Sequence, residues 1–169
     1  MRQTNVGRRR FLVSLGVTGV LLGGLGVNPA TAKSNSSPRK RNFRTHLRGD
    51  EEVPPVETKA QGQLLVKFDD DLTQFSYTLI VANIDDVFAA HIHCGPAGQN
   101  GPVGVTLFGG EQTSASGILA KETVTEPNPG NVCGWESIED VYDAIQSGNA
   151  YVNVHTVGTP SGEIRGQLG

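Results

Sequence analysis

The chain has no glycine-rich phosphate loop, no nucleophile elbow and no pair of carboxylates spaced for acid–base catalysis. Nucleotide hydrolysis, serine-type hydrolysis and glycoside cleavage therefore have no local signature here. Positive charge is scarce once the first residues are set aside. Of 14 basic residues, Arg2, Arg8, Arg9 and Arg10 lie in residues 1–32, where no acidic residue occurs. The rest of the chain carries 10 basic against 17 acidic residues, a formal charge of −7. That balance argues against nucleic acid as the main partner. The run Arg39-Lys40-Arg41 sits in a Ser/Pro-containing tail and reads as a solvated linker. Long apolar runs are also missing. The one candidate, Phe11 to Val27, is short for a span and carries five glycines. No segment beyond residue 32 reads as a membrane span.

What is present begins with an address. Arg8-Arg9-Arg10-Phe11-Leu12 is a twin-arginine pattern, and Ala30-Thr31-Ala32 offers a small-residue cleavage site after the apolar run. Residues 1–32 thus read as a twin-arginine-type signal peptide, which predicts a periplasmic or extracellular protein. Residues 33–42 read as a flexible linker, and one domain follows over 43–168. Both cysteines lie in that domain. In an exported protein they invite a disulfide, Cys94 to Cys133. The competing reading makes Cys94, beside His93, a thiolate metal ligand.

The domain reads as strands. Phe43, Thr45 and Leu47 alternate with Arg44, His46 and Arg48, so His46 shares an arginine-lined face. Gly62–Phe68 and Phe75–Val81 form a hairpin around the turn Asp69-Asp70-Asp71, which lacks the spaced oxygens of a calcium loop. Further strands are expected at 89–93, 103–107 and 116–124, and a final hairpin joins Tyr151–Thr156 to Glu163–Leu168. One helix is predicted over 137–147, with Ser137 and Asp140 as a capping box and Ile138, Val141, Tyr142 and Ile145 as its apolar stripe. The expected fold is an all-β, antiparallel Greek-key-type sandwich or barrel of about 7–8 strands with one short helix.

Two strands carry the chemistry. His91 and His93, two residues apart, share one face of a strand and project roughly 6.5–7 Å apart. His155 alternates with Val152 and Val154, so it points away from the face the valines occupy. Three imidazoles without thiolate suit zinc or copper. The competing reading keeps them as strand-face histidines hydrogen-bonded to loops. Tyr151 and Asn153 share the His155 face and are candidates for supporting such a site. Gly95, Gly98 and Gly101 serve a turn whose glycines permit positive φ, and Arg165 is a candidate to pair with Glu52 or Glu163.

Four stretches also resemble one family. Leu47-x-Gly49-x-x-Glu52-Val53-Pro54-Pro55-Val56 resembles the opening of the CHRD domain, named after chordin, and His91-Ile92-His93-Cys94-Gly95-Pro96-Ala97-Gly98-Gln99-Asn100-Gly101-Pro102-Val103 its central motif. Gly148–Thr156 and Pro160-x-Gly162-Glu163-Ile164-Arg165-Gly166-Gln167-Leu168 are similar to its ending. The resemblance implies a module found in tandem in an animal growth-factor antagonist and singly in exported microbial proteins. A fainter similarity links the His-x-His strand, the distant third histidine and the Gly-x-x-Arg-Gly ending to Cu,Zn superoxide dismutase. The bridging histidine and full zinc loop of that family have no counterpart, so its active-site arginine does not carry over to Arg165.

Three functions follow as expectations. One is a non-catalytic binding module that recognises a protein or surface component and carries a copper or zinc site. The second is a metal-dependent redox protein, dismutase-like or copper-handling. The third is a structural cell-surface or matrix domain.

Overall fold

The computed structural model describes residues 39–169. The signal-peptide reading of residues 1–32, and the linker as far as residue 38, lie outside the described residues. No helix among the described residues is long and apolar enough to cross a membrane.

Six strands and one α-helix follow in order: β1 (Asn42–Arg48), β2 (Gln61–Phe68), β3 (Phe75–Cys94), β4 (Val103–Val124), α1 (Ile138–Gln146), β5 (Ala150–Thr156) and β6 (Ile164–Leu168). All pairings are antiparallel, in the order β2-β1-β6-β5-β3-β4, and β2 also pairs with β3. The sheet therefore closes on itself in a barrel-like way, with β4 as an extra strand. The all-β antiparallel expectation holds, with six strands in place of seven or eight. Two pairs of expected strands are each one long strand. β3 gives its first half to β2, from Phe75 opposite Phe68 to Ala82 opposite Gln61. Its second half goes to β5, from Val87 opposite Thr156 to Cys94 opposite Ala150. Between them the ladder to β4 slips at Val81/Ile84 and Ile84/Val87. Asn83 and Asp86 adopt φ of 55° and 52° there. These residue types tolerate that conformation, and such bulges re-aim a strand without ending it.

The period-2 pattern decides what faces inward. In β3, β5 and β6 the residues Ala90, Ile92, Ala150, Val152, Val154, Ile164 and Leu168 are all fully buried. They join Leu47, Leu64, Phe68, Phe75 and Leu79 in one core. The helix starts at Ser137, whose side chain accepts from the Asp140 amide, while Asp140 caps back in turn. Its stripe Ile138, Val141, Tyr142 and Ile145 is buried, and Tyr142 meets Phe43 and Phe68 edge-on at 6.0 and 5.2 Å between centroids. The acidic triplet is a turn: Asp69 accepts from the amide and hydroxyl of Thr73 at 2.9 and 2.6 Å. The basic run is largely solvent-exposed, with two of its residues beside carboxylates. Arg41 pairs with Asp70, and Arg39 lies 3.6 Å from Glu139. These exposed pairs contribute little to stability.

Candidate metal centre

The opposite face of β3, β5 and β6 is polar, and it too is covered. Register sets its layout. His91 lies across from Asn153, and Asn153 across from Arg165. His93 lies across from Tyr151, and Tyr151 across from Gln167. His155 lies across from Ala89. Most of this face is inaccessible: Arg165 is 1% exposed, Asn153 3%, His93 7% and His155 8%. His91 is half-buried.

The three histidines converge. One ring nitrogen from each of His91, His93 and His155 lies within 4.8 Å of the other two. Nitrogens sharing one ion at about 2.0–2.1 Å stand roughly 3.3 Å apart in a tetrahedron, so small side-chain adjustments suffice. Backbone carbonyls fix two of the tautomers. His93 Nδ1 donates to Gly101 O at 2.9 Å, and His155 Nδ1 donates to Pro160 O at 3.0 Å. A carbonyl only accepts, so both Nδ1 atoms carry the proton and both Nε2 atoms present lone pairs. A carbonyl behind the ring is the usual support of a metal-ligating imidazole. His91 completes the group, with Nδ1 3.0 Å from His155 Nε2. His46 is exposed on β1 and does not join the cluster.

Burial holds all three rings neutral. His91 is pushed down to about 4, first by burial and then by the charges His155 and His93 would carry. His93 is lowered by burial, against the pull of Gly101 O, and His155 by burial, against Pro160 O. Neutral imidazoles are the form that binds a metal.

Support for the site comes through the loop 95–101. Arg165 donates to Gln99 O at 2.9 Å, Pro96 O at 3.3 Å and Asn100 Oδ1 at 3.2 Å. Its guanidinium lies 3.4 Å from the Tyr151 ring centre. Among the described residues it forms no ion pair, which corrects the expectation of a Glu52 or Glu163 partner. Glu163 instead accepts from Thr58 and Thr156 at 2.6 and 2.7 Å. The guanidinium sits over Tyr151 and donates to the loop. Tyr151 stacks on His93 at 4.9 Å and 10° between planes, and its hydroxyl accepts from the Gly101 amide at 3.0 Å. So Tyr151 holds both His93 and the residue whose carbonyl anchors it. Of the loop glycines only Gly98 has positive φ, 75°. Gly101 is required for a different reason: a β-carbon there would sit 1.7 Å from Cys94 O. Cys94 and Cys133 are joined as a disulfide, with Cα atoms 5.7 Å apart, so Cys94 offers no thiolate to a metal.

Three supports were not visible in the pattern of residues. The carbonyls of Gly101 and Pro160 carry no side-chain signal. Asn100, exposed on its loop, donates to Val53 O at 2.6 Å and ties the loop to the 49–56 segment. That segment buries Glu52, 5% exposed, whose carboxyl is raised to about 7, chiefly by burial and despite Arg165 nearby.

The family model for the CHRD domain matches residues 43–168. No curated protein and no solved structure matches the chain. The matched span begins in β1 and ends with β6, taking in the whole closed sheet and all three histidines. The chain belongs to the CHRD domain family.

Proposed function

We propose that this protein is an exported binding module that holds one copper or zinc ion with His91, His93 and His155. One observation carries the reading. Two imidazoles are locked through Nδ1 by backbone carbonyls, so that His93 Nε2 is bare and His155 Nε2 meets only the third ring, His91, all within 4.8 Å. A sheet that merely buried histidines would satisfy both nitrogens of each ring. Here His93 Nε2 is buried with no partner. When bound, the ion would supply a Lewis-acidic centre, and with copper a one-electron centre. The chain's own contribution is to hold the imidazoles neutral and to roof them with the loop 95–101.

Export is the second part of the proposal. It rests on the twin-arginine pattern at Arg8-Arg9-Arg10 and on a disulfide that an oxidising compartment would keep closed. Redox activity is the second reading. What favours it is His91, which is half-buried where the other two rings are buried and leaves one side of the cluster approachable.

Elemental analysis of the protein purified from its native exported compartment tests the proposal. About one equivalent of zinc or copper per chain is expected. A protein free of transition metal that also refuses added zinc and copper overturns it.

A further inference from the structure

Three buried side-chain atoms among the described residues lack a hydrogen-bond partner: His93 Nε2, Asn153 Oδ1 and Glu52 Oε1. They lie along one path. Asn153 occupies the middle of the polar face, between His91 on β3 and Arg165 on β6. Its amide also lies between the Glu52 carboxylate and the His93 imidazole. The nitrogen end points to Glu52. A β-carbon built on Gly162 would lie 2.5 Å from both Asn153 Nδ2 and Glu52 Oε1. Nδ2 also reaches Ser161 O at 3.5 Å. The oxygen end therefore turns toward the histidines.

That orientation brings two acceptors face to face. His93 has its proton on Nδ1, given to Gly101 O, so its Nε2 is a lone pair. An amide oxygen also only accepts. Leaving such groups buried and unpaired is costly, since neither recovers the hydrogen bond it made to water. A cation would satisfy both atoms at once, and His91 and His155 already face the same space.

We infer that Asn153 is the fourth arm of the histidine site: its Oδ1 takes up the ion, directly or through one water, and Glu52 is the positioning residue that keeps that oxygen turned inward. This rests on the metal reading above and adds a donor to it. Glu52 specifies the amide because its Oε1, an acceptor, lies on the Nδ2 side beside Gly162, where the amide nitrogen and not its oxygen fits. A set of three imidazoles and one amide oxygen suits zinc or copper(II) and disfavours copper(I), which takes softer donors.

The test titrates the full protein with zinc against a competing chelator and records copper(II) electron paramagnetic resonance. The proteins are wild type, Asn153→Leu, Asn153→Asp, Glu52→Gln and His155→Ala. Asn153→Leu should weaken zinc by about 10–100-fold and change the copper(II) spectrum. Asn153→Asp, which keeps an oxygen in place and adds charge, should bind zinc at least as tightly as wild type. Glu52→Gln should fall between wild type and Asn153→Leu. A merely structural asparagine would lower stability and leave the copper(II) spectrum alone. Wild-type affinity and spectrum in Asn153→Leu, with binding lost in His155→Ala, would overturn the inference and spare the three-histidine site. If Asn153→Leu does not fold, a copper(II) spectrum in Asn153→Asp identical to wild type overturns it equally. No uptake of zinc or copper by wild type would sink both readings together.

Discussion

The two faces of β3, β5 and β6 are made by the same strands and differ in every respect that matters. On the inner face Ile92, Val152, Val154 and Ile164 bury only carbon. On the outer face His93, Asn153, His155 and Arg165 bury nitrogen and oxygen almost as deeply, and His91 is half-buried. Apolar burial needs no partner and is forgiving of its neighbours. Polar burial must be matched donor to acceptor, and where it is not matched something is missing. The inner face therefore accounts for stability. The outer face carries a surplus of lone pairs, and that surplus points to a ligand.

The comparison can be broken or sharpened by substitution on each face. The largest effect belongs to the inner face. Ile92→Ala should cost about 2–5 kcal/mol in urea unfolding, since Ile92 is fully buried, while the folded fraction keeps its metal affinity. Loss of metal affinity without loss of stability would reverse the assignment of the two faces. Next comes the clasp at the edge of the outer face. Cys133→Ser should lower stability by roughly 3–4 kcal/mol, because the bridge closes a loop of 39 residues in separation. An unchanged unfolding midpoint would show that the loop is held by Arg165 and Tyr151 alone.

A smaller effect is expected from pH in the metal-free protein. The three imidazoles are lowered in the folded state, His91 to about 4, against an ordinary value near 6.5. The unfolded chain then takes up protons first, so stability is complete above about 6.5 and is lost as pH falls toward about 4. Glu52 has the opposite sign. Its carboxyl is raised from 4.5 to about 7, so its contribution is complete below 4.5 and is lost as pH rises through about 7. Urea midpoints measured across this range should show a shallower acid limb in His91→Gln, with His93 and His155 supplying the rest. They should lose their upper limb in Glu52→Gln. Identical profiles in all three proteins would mean that neither His91 nor Glu52 titrates as its burial requires. The smallest effect lies away from both faces: Ser137→Ala removes a helix cap and should cost about 1 kcal/mol.

Much of this was legible in the residues. Alternation alone put His91 and His93 on one face and set His155 apart from Val152 and Val154. The capping box placed the helix start at Ser137, and His46 was separable from the cluster by its arginine neighbours. What could not be read came from contacts between distant segments. Asn83 and Asp86 look like turn residues, yet they sit in bulges that let β3 run on from Phe75 to Cys94. Gly109-Gly110 likewise looks like a break, but β3 continues beside it and β4 remains a strand. Arg165 offered two carboxylate partners by sequence and took loop carbonyls, because only the folded sheet brings residues 96–100 over its guanidinium. The burial of Glu52 depends on the same roof, and no local pattern encodes it.

The most direct test of the central claim compares histidines. Wild type, His91→Ala, His155→Ala and His46→Ala are titrated with zinc and copper(II) under competition. The account predicts one tight equivalent in wild type and in His46→Ala, and its loss in His91→Ala and His155→Ala. Equal binding in all four proteins would contradict it, and the cluster would then be a purely structural use of histidine.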